Sequence, residues 1–224
     1  IDGFYDKRTN ILIDGSGLIS SAIGVTIPQM NAGKVETKGT ELSAMWKKEY
    51  KDFNYYIGAN FSYAKSKVVE NGEGYQPYGY LSKKGYPVGQ WFGWEAIGYF
   101  RDEADIKSSP VQKFSEVRPG DVKYRDLNGD NVIDNNDQKA IGYSTAIPEI
   151  YYGINLGFEY KGFGVDALFQ GVAHYSVMLN TASVYWPLRN NTNISSWYLN
   201  DRIRWTEETK DIANVPRLTT LDNA

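Results

Sequence analysis

Apolar and polar residues alternate along four stretches of the chain, with the period of two that a β-strand imposes. Between Glu41 and Tyr50, Leu42, Ala44, Trp46 and Tyr50 share one face, while Glu41, Ser43, Lys47 and Glu49 share the other; Met45 and Lys48 break the pattern. From Phe53, the residues Phe53, Tyr55, Ile57, Ala59, Phe61 and Tyr63 lie opposite Asn54, Gly58, Asn60, Ser62 and Ala64. A third run sets Ile150, Tyr152, Ile154, Leu156, Phe158 and Tyr160 against Tyr151, Gly153, Asn155, Gly157 and Glu159. The fourth sets Phe163, Val165, Ala167 and Phe169 against Gly164, Asp166 and Gln170, with Leu168 as an exception.

The joints repeat. EYKDF at Glu49–Phe53 and EYKGF at Glu159–Phe163 are nearly one pentapeptide, each with a two-residue turn flanked by aromatics of the apolar face. Lys161-Gly162 suits a tight hairpin because Gly takes positive φ without steric cost, and Asp52 is an acceptable substitute. The pattern predicts hairpins over about 40–67 and 149–171, joined and followed by long loops over about 68–148 and 172–224. Short turns at one end and long loops at the other are the asymmetry of an outer-membrane barrel, whereas a soluble sandwich carries turn signals every 8–12 residues or so at both ends. A sandwich also explains alternation. The small, polar second face and the run lengths, which match the roughly 9–11 residues of a membrane strand, favour an all-β, antiparallel, up-and-down transmembrane barrel segment with short periplasmic turns and long extracellular loops.

Composition narrows this further. The 224 residues carry a net charge of −3, which argues against a nucleic-acid partner. The absence of cysteine excludes disulfides, thiolate zinc sites and a cysteine nucleophile, and a single histidine, His174, leaves no multi-histidine site. His174 reads as a solvated residue just after a strand. The 18 Tyr and 6 Trp suit interfaces with one apolar and one wet side. A mean hydropathy of −0.49 is compatible with membrane strands, in which only alternate residues are apolar. The opening IDGFYDKRTN has neither an apolar signal core nor a cleavage site, as expected of a chain that begins inside a longer protein.

One motif carries chemistry. DLNGDNVIDNND, Asp126–Asp137, has the oxygen spacing of a twelve-residue calcium loop: Asp126, Asn128, Asp130, the Val132 carbonyl, Asp134 and Asp137 stand at positions 1, 3, 5, 7, 9 and 12. Asn131 replaces the usual Gly at position 6 and is the non-Gly residue best able to turn left-handed there. Ile133 is expected to tie the loop to an apolar neighbour. The flanks do not read as helices, so a calcium-opened switch is not expected; the expected role of calcium is structural, bracing the 68–148 loop.

The stretch PGDVKYRDLNGDNVIDNNDQKAIG followed by PEIYYGINLGFEYKGFGVDALFQG resembles the SusC/RagA family of TonB-dependent outer-membrane transporters. GFYDKRTNILI and KGTELSAMW resemble that family's preceding strands, and RWTEETKDIANVPRL a later extracellular stretch. The resemblance implies a barrel of about 22 strands with a plug, energised through the TonB complex, capped by a SusD-like surface lipoprotein and importing oligosaccharides or peptides. It also implies outer-membrane lipid around the wall. Plug, TonB box and terminal strands lie outside the pattern matched here, so the chain reads as a piece of the barrel's C-terminal half. Four to six strands cannot close a barrel, since the smallest need about eight.

Trp91–Phe100, WFGWEAIGYF, is the densest aromatic patch, and Trp91, Trp94 and Tyr99 are candidates for contact with substrate or lid. Glu95, Asp102, Glu103 and Asp105 cluster in sequence, but no pairing suggests acid–base chemistry, and no enzyme is expected. The alternative function is a secreted, calcium-stabilised, β-rich glycan-binding module, which would be monomeric without detergent.

Overall fold

The computed structural model describes residues 1–15, 24, 28–114, 116–179, 194–196 and 203–219. Among these, eleven strands follow in chain order: β1 (Asp2–Ile13), β2 (Met30–Glu49), β3 (Phe53–Glu70), β4 (Gln90–Trp94), β5 (Ala96–Tyr99), β6 (Val111–Gln112), β7 (Val122–Tyr124), β8 (Val132–Ile133), β9 (Gln138–Ser144), β10 (Ile150–Tyr160) and β11 (Phe163–Ala173). The chain divides into two units. The first joins Ile1–Trp91 to Gly142–Ser176, and the second joins Phe92–Ile141 to Val177–Ala224. No described helix is long and apolar enough to cross a membrane, which says nothing of crossing by strands.

The first unit is an open antiparallel sheet in the order β1-β2-β3-β10-β11. Register runs unbroken across β3, β10 and β11, with Leu156 opposite both Ile57 and Ala167. The strands run longer than alternation predicts, because the apolar pattern stops near Thr40 and Tyr63 while the ladder continues to Lys34 and Glu70. The alternation places the turns correctly. Tyr160 pairs with Phe163 around Lys161 (φ 50°) and Gly162 (φ 85°), the left-handed pair that matches strand twist. At the other hairpin the Tyr50 N–H donates to the Phe53 carbonyl at 2.9 Å, and neither Lys51 nor Asp52 has positive φ. The strand preceding β2 emerges only from the resemblance; charges interrupt DGFYDKRTNILI, and its ladder slips between Arg8 and Ile11.

Of the second long loop, 180–193, 197–202 and 220–224 lie outside the described residues. The first holds most of the second unit. There β5 pairs with β7 antiparallel and β6 with β8 parallel, around Phe100 and Ile133, which are 1% and 0% exposed. A short helix, α1 (Glu103–Ser108), is capped by the Asp102 side chain, which accepts from the Asp105 N–H at 2.8 Å. Residues 203–219 return to this core: the Trp205 N–H donates to the Val215 carbonyl and the Arg217 N–H to the Gly120 carbonyl. Arg217 then grips Asp121, fully buried, through Nε at 2.6 Å and a second nitrogen at 3.2 Å. Burial pushes the Asp121 carboxyl up, against the opposing pull of Arg217.

Candidate functional site

Register fixes what each face of the sheet presents. Leu42, Ala44 and Trp46 on β2 align with Phe61, Ala59 and Ile57 on β3. These in turn align with Tyr152, Ile154 and Leu156 on β10, and onward with Phe169 and Ala167 on β11. The result is one continuous apolar face, on which Trp46, Phe163 and Phe169 are each at least 60% exposed. Leaving such side chains in water forfeits about 1.5–3 kcal/mol each. From Ile150 to Tyr160 the face spans 11 residues, or about 33 Å at 3.3 Å per residue; a tilt near 40° reduces this to about 25 Å of height, the apolar band of a membrane barrel. Tyr50, Phe53, Tyr160 and Phe163 mark one boundary beside the turns. There the Lys48 and Lys161 ammonium groups stand 5.8 and 5.3 Å over the Tyr50 and Tyr160 rings, long side chains reaching out of the apolar layer.

The opposite face is small and polar. Tyr56 on β3 donates its hydroxyl to Asp166 on β11 at 2.6 Å, reaching across Gly157 on the intervening β10. A Cβ at Gly157 would overlap the Tyr56 ring, so glycine is what admits this cross-strand bridge. Met45, one of the breaks in the β2 pattern, lies opposite Gly58 on this face; a Cβ at Gly58 would meet its methyl at 3.4 Å.

The Asp126–Asp137 loop is curled by its own carboxylates. Asp126 accepts from the Gly129 and Asn131 N–H groups at 2.7 and 2.8 Å, and Asp130 from the Val132 N–H at 2.8 Å. Asn128 accepts from the Asp130 N–H at 3.0 Å, and Asp134 from the Asn136 N–H at 2.8 Å. Asn131 has φ 63°, as position 6 requires, and Ile133 is fully buried. The ladder to β6 takes the carbonyls of Asn131 and Ile133 and leaves that of Val132 outside it. Asp137 does something the spacing alone does not reveal. It is fully buried, and its two oxygens accept from the Leu127 and Asp134 N–H groups at 2.8 and 2.9 Å, so it ties the ends of the loop together. Hydrogen bonds from Asn136, reinforced by the Lys113 charge, hold the Asp134 carboxyl below its usual range. Among the described residues no three His, Asp or Glu side chains converge as a metal cage.

The aromatic candidates separate. Trp94 donates its indole N–H to the Asp134 carbonyl at 2.8 Å and packs against Phe114 and Tyr124 at 4.8 and 6.2 Å, so it buttresses the loop. Tyr99 lies on β5 opposite Val122, and Trp91 is an exposed residue of β4. Three of the clustered carboxylates have local partners. Glu95 binds Lys139 and Arg125 at 2.7 and 2.9 Å, Asp105 binds Lys123 at 2.7 Å, and Asp102 caps α1. The Lys139 and Lys123 contacts hold the Glu95 and Asp105 carboxyls below their usual range. His174 does follow β11 and is exposed, but it is more engaged than a solvated residue. It stacks on Tyr143, and its Nδ1 lies 3.2 Å from the buried Glu149 carboxylate.

No family model matches the chain. Among characterised proteins it is 27% identical over 160 residues to TonB-dependent receptor P3 of Formosa agariphila, an alignment covering 66% of this chain and 16% of the receptor. It is also 27% identical over 211 residues to TonB-dependent receptor P39 of that organism, covering 74% and 20%. Among solved structures it matches a chain of the RagAB peptide importer in the open-open state with a TM-score of 0.64 and 21% identity, over 98% of this chain and 23% of that one. The closed-closed state gives a TM-score of 0.63 over 99% and 24%. The chain thus spans about a fifth of the length of the curated relatives it matches. An antiparallel sheet with a membrane-high apolar face and tight turns at one end thus goes with sequence similarity to the TonB-dependent outer-membrane receptors and with the fold of a stretch of the RagAB importer's barrel wall.

Proposed function

We propose that the sheet is part of the wall of an outer-membrane active importer, energised through the TonB complex, that takes up oligosaccharides or peptides too large for porins together with a SusD-like surface lipoprotein. The observation that carries this reading is the apolar face of about 25 Å backed by a small, polar face, the arrangement of a strand wall between lipid and a wet lumen. A secreted glycan-binding module would leave that whole face in water. The Asp126–Asp137 loop is read as a structural calcium site. Asp126, Asn128, Asp130, the Val132 carbonyl and Asp134 supply the hard oxygen donors such an ion takes, and each carboxylate oxygen that accepts an N–H keeps a further lone pair. Trp91 and Tyr99 remain the candidates for contact with substrate or lid.

The test is genetic and biochemical. Deleting the protein should abolish uptake of a labelled oligosaccharide or peptide above porin size, and the protein should co-purify with a surface lipoprotein. Unchanged uptake of both substrate classes would remove the importer reading. Calcium added to the purified protein should slow amide exchange across 126–137, and unaltered exchange there would remove the calcium reading alone.

A further inference from the structure

Beyond Tyr63, the lipid-side face changes from apolar to cationic. Lys38 lies opposite Lys65 and Glu36 opposite Lys67, in step with the Thr40–Tyr63 pair. On β1, Tyr5 lies opposite Lys38 and Lys7 opposite Glu36. By the alternation of the strands, Lys7, Lys38, Lys65 and Lys67 therefore share the face of Tyr63. Lys7 reaches Glu36 at 3.9 Å and Lys65 reaches Glu149 at 3.7 Å, while Lys38 and Lys67 pair with no carboxylate among the described residues. Lys38 instead stands 5.5 Å over the Tyr5 ring. Glu36, Lys38, Thr40, Tyr63, Lys65 and Lys67 line one open groove, in which Glu36 is offset by Lys7, and the side chains of Lys38, Lys65 and Lys67 are exposed.

Depth identifies the occupant. Lys38 and Lys65 lie two residues beyond the Thr40–Tyr63 pair and Lys67 lies four beyond Tyr63, about 5 and 10 Å above the edge of the apolar band at the same tilt. The headgroup layer of a bilayer leaflet occupies roughly the first 5–8 Å outside its hydrocarbon, a layer that takes in Lys38 and Lys65 and lies just below Lys67, within reach of its long side chain. At the turn boundary Lys48 and Lys161 each sit over one Tyr ring. We propose that Lys38, Lys65 and Lys67 form a binding site for the phosphate of an outer-leaflet lipid headgroup. The lipid's chains lie along the apolar face below, and Tyr63 sits at the junction. This rests on the outer-membrane placement of the sheet and adds to it a specific lipid contact.

The test uses the protein extracted from its own outer membrane in mild detergent, as wild type and as the triple variant Lys38→Gln, Lys65→Gln, Lys67→Gln. Native mass spectrometry follows retention of the outer-leaflet lipid, of the same lipid treated with phosphatase, and of inorganic phosphate in separate arms. The wild type should prefer the phosphorylated lipid by at least about tenfold. The triple variant should bring that ratio close to one, and the matching Lys→Arg triple should retain it. Equal retention of both lipids by the wild type, a preference that survives the Gln variant, or displacement of lipid by millimolar inorganic phosphate would each overturn the proposal. Absence of the protein from the outer-membrane fraction would instead overturn the membrane placement.

Discussion

Replacing Ile154 by Arg tests the two-faced wall at its centre. Ile154 lies on the apolar face between Ala59 and Phe169. It stands four residues from Ile150 and six from Tyr160, about 10 and 15 Å in height at 40° tilt, so within about 3 Å of the middle of the band. A cation there must be dragged to an interface or solvated in hydrocarbon, at about 2–4 kcal/mol on the lipid face at midplane. Phe163→Arg, at the turn boundary, should cost about 0–1 kcal/mol. Asn155→Arg, one residue along but on the polar face opposite Gly58 and Leu168, should cost little. The assay is the denaturant midpoint of the protein folded in lipid vesicles, with the slope checked for constancy. A cost at Asn155 equal to that at Ile154, or no difference between Ile154 and Phe163, would refute the assignment of lipid and lumen faces.

Other consequences are equally specific. Gly157→Ala forces a Cβ into the Tyr56 ring and should destabilise by about 1–3 kcal/mol, whereas Tyr56→Phe should lose only the Asp166 bond; thermal midpoints of the two variants separate packing from hydrogen bonding. Arg217→Ala leaves the buried Asp121 carboxylate unpaired, at about 3–5 kcal/mol, and hydrogen exchange across 203–219 should rise selectively. Asp137→Ala strips the acceptors of two N–H groups, at about 1–3 kcal/mol each, and should speed exchange at Leu127 and Asp134 with or without calcium. Glu95, Asp105 and Asp134 are held below their ordinary values of 4.5, 3.8 and 3.8. Their contributions are therefore present above those values and lost as pH falls through the lowered ones, while Asp121, pushed up from 3.8, contributes in the opposite sense. Trp fluorescence of the native protein between pH 6 and 3 should show the net loss.

How much of this was legible follows from the forces involved. Alternation revealed β3, β10, β11 and the lower half of β2, because lipid on one side and lumen on the other impose strict period two. It failed above Thr40 and Tyr63, where both faces are polar and Lys38, Lys65 and Lys67 no longer contrast with their neighbours. β1 was hidden for the same reason. The second unit was invisible as structure because its core gathers Phe100, Ile133, Trp205 and Val215 from far apart in the chain, with no periodic run to announce it. Spacing identified the oxygens of the Asp126–Asp137 loop and the left-handed Asn131. It could not show that Asp137 turns both oxygens to backbone N–H groups, nor that Trp94 braces the loop instead of facing outward, since both depend on tertiary packing.

The most direct test of the central claim uses the absence of cysteine from the chain. Single cysteines placed in turn at positions 150 to 160 of β10, spin-labelled in the membrane-embedded protein, report collision with dissolved oxygen and with a water-soluble paramagnet. The account predicts oxygen access at 150, 152, 154, 156 and 158, peaking near 154 and 156, and paramagnet access at 151, 153, 155, 157 and 159. Water access on both sets of positions would contradict it.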